Sequence, residues 1–424
     1  MRRPSLDAVR GFDRAVYVVV LGGLLNTLGS GLVYPFATVH FHLRVGIPLS
    51  VVGLGLGANG VALAAGTAVG GYLADRYARK PVMVASMGLS AVTLAAYAGV
   101  EPAAALLAVP PGPVFVAVAT LVGFTVGLYA PASQAYVADC TSGSGRDRAY
   151  ALLKVGNNLG FGTGFVVGGL LYEVANVAVF LGDGLTSALV AVLLVAAVPR
   201  VHAGRRDVSV SDSVGDWRRA ITRRRVVALA ALNVGFAAMY AQMRTTVPVV
   251  ATDTLGLSSS QLGTLYVLNP LTLVVFQLPM VAAVTDWRRT RGLVASAALW
   301  AVSMLVVWPA SAGVAAGLLG VALVGGHLVV RTLGEVLHSP LSTSLMSDLG
   351  TDAERGSQLS LLEVAKRLGI GLGSFVGGVF FDAGLAAALW PTLAAVCALV
   401  AVGLVALERR VSPAENGLRT ASAD

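Results

Sequence analysis

The sequence predicts an all-α membrane protein: twelve transmembrane helices in two pseudo-symmetric six-helix bundles. Three observations carry that expectation. Apolar runs of about 20 residues, the length that crosses a hydrocarbon core, recur along the whole chain. Of the 424 residues 56% are hydrophobic and 12% charged, at a mean hydropathy of +0.77, where soluble domains carry roughly 25% charge. The second half also repeats the first. With Pro131 placed on Pro340, ten identities fall at one offset of 209 without a gap. Ser133, Asp139, Arg146, Leu159, Gly160, Gly162, Gly164, Gly168 and Gly169 meet Ser342, Asp348, Arg355, Leu368, Gly369, Gly371, Gly373, Gly377 and Gly378.

Taken in order, the spans fall near 15–40, 49–74, 81–100, 113–138, 148–172 and 176–198, then 226–252, 260–285, 292–310, 313–347, 357–382 and 385–407. This divides the chain into an N-terminal bundle (1–198), a basic linker (199–225), a C-terminal bundle (226–410) and a tail (411–424) read as disordered. Lys and Arg concentrate on the termini and the even-numbered links, whereas the opposite links hold only Arg44. By the positive-inside rule both termini and the linker are cytoplasmic, in a multi-pass protein of the cell membrane. The net charge of +8 therefore answers to topology and not to nucleic acid. Arg2, Arg3, Arg10 and Arg14 precede a first apolar run too long for a cleavable signal. Cys140 and Cys397 are far apart, without metal-ligand spacing. No phosphate loop, metal motif or cofactor site is legible, so an enzyme is not expected, and the partners are a small-molecule substrate, protons and the lipid bilayer, with the chain a monomer.

Between the second and third spans stands GGYLADRYARK, Gly70 to Lys80. Each of its charges would cost about 2.5–3.5 kcal/mol at a helix centre, so the stretch sits at the water boundary. Gly71, Asp75, Arg76, Arg79 and Lys80 resemble the loop signature of the major facilitator superfamily, with Ala78 where that family has its last glycine. A parallel repeat of six helices is that superfamily's architecture as well. The resemblance implies two bundles that rock about a midplane site in alternating access, with the first, fourth, seventh and tenth helices lining a cavity. It also implies that Asp75 latches onto the N-terminal end of the eleventh helix, where a carboxylate gains about 0.3–1 kcal/mol. An ordinary solvated turn with topogenic arginines is the plainer alternative.

Glycine marks where helices approach closely. Gly160, Gly164, Gly168 and Gly169 lie in the fifth span, and Gly369, Gly373, Gly377 and Gly378 in the eleventh. The first set resembles the fifth-helix signature of antiporters, with Phe165 in place of its proline.

Charges within spans are functional candidates. Arg331 and Glu335 are four apart and share a face, flanked by His327 and His338. The string TLGEVLHSP resembles the tenth helix of drug–proton antiporters, in which an acid after glycine takes up a proton. Glu335 with Arg331 is thus either a coupling pair or a static helix lock, and Glu363 is the next coupling candidate, next to Lys366 and Arg367. Cavity candidates are Asn26, Tyr34, Tyr240, Gln242, Arg244, Asn269 and Lys366. Together these imply a proton-coupled antiporter exporting amphipathic or hydrophobic molecules, as in multidrug efflux. The alternative is a carrier for one metabolite, anionic in view of Arg244, Arg331 and Lys366.

Overall fold

The computed structural model describes residues 12–199, 221–351 and 354–418. Among these the chain forms twelve long helices and no strand. They are α1 (Arg14–Arg44), α2 (Leu49–Tyr77), α3 (Arg79–Leu107), α4 (Pro111–Asp139), α5 (Gly143–Val174), α6 (Ala178–Ala197), α7 (Arg224–Thr254), α8 (Ser259–Ala283), α9 (Arg289–Ser311), α10 (Gly317–Asp348), α11 (Arg355–Asp382) and α12 (Ala386–Glu408). All but α5 are long and apolar enough to cross a membrane by length and composition. α5 carries Arg146, Asp147, Arg148, Lys154, Asn157 and Asn158 among its glycines, which lowers its hydropathy without shortening it.

Several expected limits move, each for a local reason. α3 does not stop near 100: it tightens into a 3₁₀ turn at Ala96–Gly99 and continues until Ala108 turns left-handed at φ 53°. α10 starts later than 313, because Gly313 (φ 69°) and Gly317 (φ 57°) turn the chain first. The break between α2 and α3 is a single residue, Ala78, at φ 115° and ψ 155°. α1 bends at Tyr34–Pro35 and finishes as a π-helix, Val39–Arg44. α7 does the same after Pro248, with a π-helix at Val250–Thr254. Both then close identically: Val45 N–H donates to His40 O and Ile47 N–H to Phe41 O, as Leu255 does to Val250 and Leu257 to Ala251. Gly46 (φ 80°) and Gly256 (φ 67°) complete each turn. The repeat therefore extends through a stretch where the two sequences share almost nothing.

The C-terminal tail is a further correction. Asn416 is buried, accepts from the Thr290 N–H at 3.0 Å and donates to its hydroxyl at 2.9 Å. Glu415 pairs with Arg225 at 2.8 Å. Residues 411–418 are thus docked rather than disordered; 419–424 lie outside the described residues, as do residues 200–220 of the expected linker.

The chain divides into two compact units, 1–47 with 58–207 and 258–267, and 48–57 with 208–257 and 268–424. Two helix heads are exchanged between them: that of α2 belongs to the second unit and that of α8 to the first. In the first unit α5 packs on α1 through Gly160, Gly164 and Gly168, whose missing side chains would strike the backbone at Leu24, Leu28 and Leu32. In the second, Gly369, Gly373 and Gly377 bring α11 against Val234, Ala238 and Gln242 of α7. The fourth glycine of each set receives the exchanged head, Gly169 at Ser259–Ser260 and Gly378 at Leu49–Ser50. At one end of the first unit Ala15, Val16, Val19, Met83, Met87, Tyr136 and Leu194 form a core. Phe41, Tyr97, Phe115 and Phe180 fill another cluster, with ring centroids 4.4–6.0 Å apart.

Candidate functional site

The charged loop is a knot of ion pairs. Asp75 accepts from Arg79 at 2.5 Å, and Arg79 reaches Asp139 at 3.3 Å. Lys80 donates to the carbonyls of Val195 and Val198 at 2.9 and 2.6 Å. It thereby satisfies the final turn of α6, where the helix dipole favours a cation. Arg76 instead stays with Tyr72 and Tyr77. The second unit repeats the arrangement, with Arg289 on Asp348 at 2.5 Å. A side chain on Gly71 would meet only Pro131, whereas one on Gly70 would strike the backbone of Leu128. The close approach that needs glycine is at Gly70.

In the second unit, the expected pair is made. Arg331 lies 3.1 Å from Glu335, with a guanidinium 0% exposed and a carboxylate 21% exposed. The guanidinium carbon stands 4.4 Å from the centre of the Tyr240 ring on α7, a cation–π contact worth up to about 2 kcal/mol when dry. Asn269 on α8 donates to Thr332 Oγ1 at 2.8 Å, and the Trp300 indole on α9 donates to the Arg331 carbonyl at 2.8 Å. Four helices therefore converge here. Gly334 has a steric reason: a Cβ there would run into the Trp300 ring, and Ser296 bonds its carbonyl at 2.7 Å.

The remaining candidates separate. Gln242 is fully buried, and its amide is used between helices: it donates to Ala238 O and Gly373 O at 2.9 Å and accepts from Thr246 at 2.9 Å. It staples α7 to α11 instead of offering itself to a substrate, a role that glycine at 377 makes room for. Glu363 pairs with Arg367 at 2.7 Å, but on an exposed face. Lys366 and Arg244 are half-buried. In the first unit Asn26 and Tyr34 are half-buried, and the Tyr34 ring packs on Phe161 and Phe165 at 5.2 and 6.0 Å.

Sequence reasoning missed Asn233. Its Oδ1 accepts from Ser342 at 2.8 Å and lies 2.9 Å from His338 Nε2, while its amide donates to Leu229 O. With that oxygen accepting, His338 is the Nε2–H tautomer, and its ring lies tilted against Phe236 with centroids 4.3 Å apart. An asparagine in an apolar helix was the available signal; its partners, over 100 residues away, were not. Two cavities, of about 350 and 230 Å³, lie at the arginine-rich ends of α9 and α12 and between α8 and α10; neither is lined by Arg331 or Glu335.

The family model for the Major Facilitator Superfamily matches residues 19–325 and 234–424. The chain belongs to this superfamily. It is therefore a multi-pass membrane transporter, a class whose members work on small molecules. Its sequence is similar to an uncharacterized MFS-type transporter, YttB, of Bacillus subtilis (strain 168), 27% identical over 87% of this chain and 89% of that one. It is also similar to the multidrug resistance protein MdtH of Proteus mirabilis, 23% identical over 87% of each chain. Among solved structures the nucleoside transporter NupG superposes with a TM-score of 0.77 at 13% identity, covering 93% of this chain and 99% of that one. The POT family transporter PepTSo gives 0.75 at 13%, covering 94% and 98%. At those identities the likeness is one of fold.

Proposed function

We propose that the chain is a proton-coupled exporter of amphipathic small molecules working by alternating access, with both termini cytoplasmic and Glu335 as the coupling carboxylate. The observation that carries the reading is the Arg331–Glu335 pair. Arginine keeps its charge at any working pH, and here it is dry, whereas its partner Glu335 retains exposed surface through which a proton can arrive. Protonation takes the pair from neutral to one positive charge beside Tyr240. A charge change biases two conformations only when they differ in how they accommodate it. The distant multidrug-resistance relatives support the choice of cargo.

The deciding experiment is proton-driven uptake into inverted vesicles, alongside counterflow of the same substrate. Glu335→Gln mimics the protonated state and is expected to abolish accumulation while counterflow persists. Glu335→Ala also strands Arg331, at about 3–5 kcal/mol of stability. Continued uphill accumulation by Glu335→Gln would move the proton site elsewhere, with Glu363 next in line. The metabolite-carrier reading predicts instead saturable binding of a small anion that Arg331→Ala or Arg244→Ala weakens several-fold.

A further inference from the structure

We infer that the arginine cluster where α9 begins and α12 ends is a headgroup site for an anionic phospholipid. The cavity of about 350 Å³ there is lined by Arg288, Arg291, Val294, Val405, Glu408 and Arg409. A single carboxylate organises it. Glu408 Oε1 accepts from Arg288 Nη1 at 2.8 Å and from Arg291 Nε at 3.3 Å. Its Oε2 accepts from the Thr290 hydroxyl at 3.0 Å. Oε1 thus positions two guanidinium forks, each of which has five N–H donors, while Oε2 is held by Thr290. Three arginines against one carboxylate leave a lining with an excess of positive charge and donors arranged for phosphate oxygens.

The surroundings say which phosphate. From the cavity, Val405, Val402 and Leu399 follow at three-residue spacing along α12, at 47%, 67% and 70% exposure. That stripe faces hydrocarbon in a bilayer and leads from the arginines along the path of an acyl chain. Trp287, also exposed, precedes the cluster, in keeping with the aromatic residues that collect at headgroup level. A soluble phosphate would gain nothing from the stripe. Basic pockets between helix ends, by contrast, suit anionic headgroups.

The fold itself does not require this feature. At the 209-residue offset Glu408 corresponds to Pro199, and in the first unit Lys80 donates to carbonyls at the same helix end. Arg291 likewise corresponds to Val82, so a cluster organised by a carboxylate belongs to the second repeat.

The test uses the full chain purified in detergent and placed in phosphatidylcholine discs with or without phosphatidylglycerol. Bound lipid is read by native mass spectrometry. Preferential retention of phosphatidylglycerol is expected, falling about fivefold for each arginine removed, in Arg409→Gln and in Arg291→Gln with Arg409→Gln. Arg409→Gln leaves the Glu408 bonds intact, so it reports even if the double variant fails to fold. Inorganic phosphate and glycerol phosphate should not displace the lipid. Equal retention of the two lipids, or retention unchanged in Arg409→Gln, would overturn the assignment; displacement by millimolar phosphate would make this a soluble-anion site instead.

Discussion

Ala78 occupies a backbone conformation, φ 115° and ψ 155°, that glycine adopts without cost and other residues rarely reach. Its neighbours hold it there: Asp75, Arg79 and Asp139 are paired on one side, and Lys80 is anchored to the end of α6 on the other. Strain of this kind costs about 1–3 kcal/mol. Glycine also gains about 0.4–1 kcal/mol of chain entropy when unfolded, which offsets part of the relief. Ala78→Gly is therefore expected to raise stability by about 1 kcal/mol, read as a higher unfolding midpoint in detergent. A lower midpoint would mean that the loop is relaxed as it stands. The departure from the family's glycine was visible in the sequence; the strain was not, since it depends on where the ion pairs pin the chain.

Among whole elements, the heads of α2 and α8 are held in matching ways. The Asp382 carboxylate at the end of α11 accepts from the Leu49 and Ser50 N–H groups at 2.8 and 2.9 Å. Glu173, near the end of α5, accepts from Ser260 N–H at 3.0 Å. The two acids are 209 residues apart, yet differ in identity, so a search for identical residues passes over them. α8 in addition has its own capping box, Ser258 with Gln261; α2 receives its carboxylate from another helix. A charge at a helix N-terminus contributes about 0.3–1 kcal/mol, so Asp382→Asn should loosen the α2 head by a factor of about 2–5. The readout is the labelling rate of a cysteine at Ser50 with Cys140 and Cys397 replaced. Glu173→Gln should loosen the α8 head less, because the capping box remains. Unchanged labelling in Asp382→Asn would leave the glycine contacts as the only hold. Those contacts were the legible part of these helices: four-residue glycine spacing encodes close approach directly. That Gly378 receives α2 rather than α7 follows from tertiary placement across more than 300 residues, which no local pattern reports.

At the scale of the chain, the ends of the second repeat are tied by carboxylates, and this sets an acid limit on stability. Glu354 is held below its ordinary pKa of 4.5 first by the Thr351 N–H, against the opposing effect of burial, and further by the Thr351 hydroxyl and Arg223, the latter at 2.7 Å. Burial pushes Glu415 upward, but the Ser412 N–H and hydroxyl and Arg225 together bring it below 4.5. Through these two acids the start of α7 is fastened to the start of α11 and to the tail. A carboxyl group whose folded pKa is depressed contributes stability in full above its unfolded value, and loses it as pH falls through the folded one. The unfolding midpoint should therefore stay level from neutral pH to about 4.5 on account of these groups and drop below that. The double variant Glu354→Gln, Glu415→Gln should begin lower at pH 7 and fall less steeply in acid, because it has no such protons to take up. Truncation after Val411 removes the Glu415 tie and the Asn416–Thr290 bonds together, so it should lower the midpoint at neutral pH and leave only the Glu354 share of the acid dependence. A double variant with the same acid slope as the parent would assign the loss to other carboxylates.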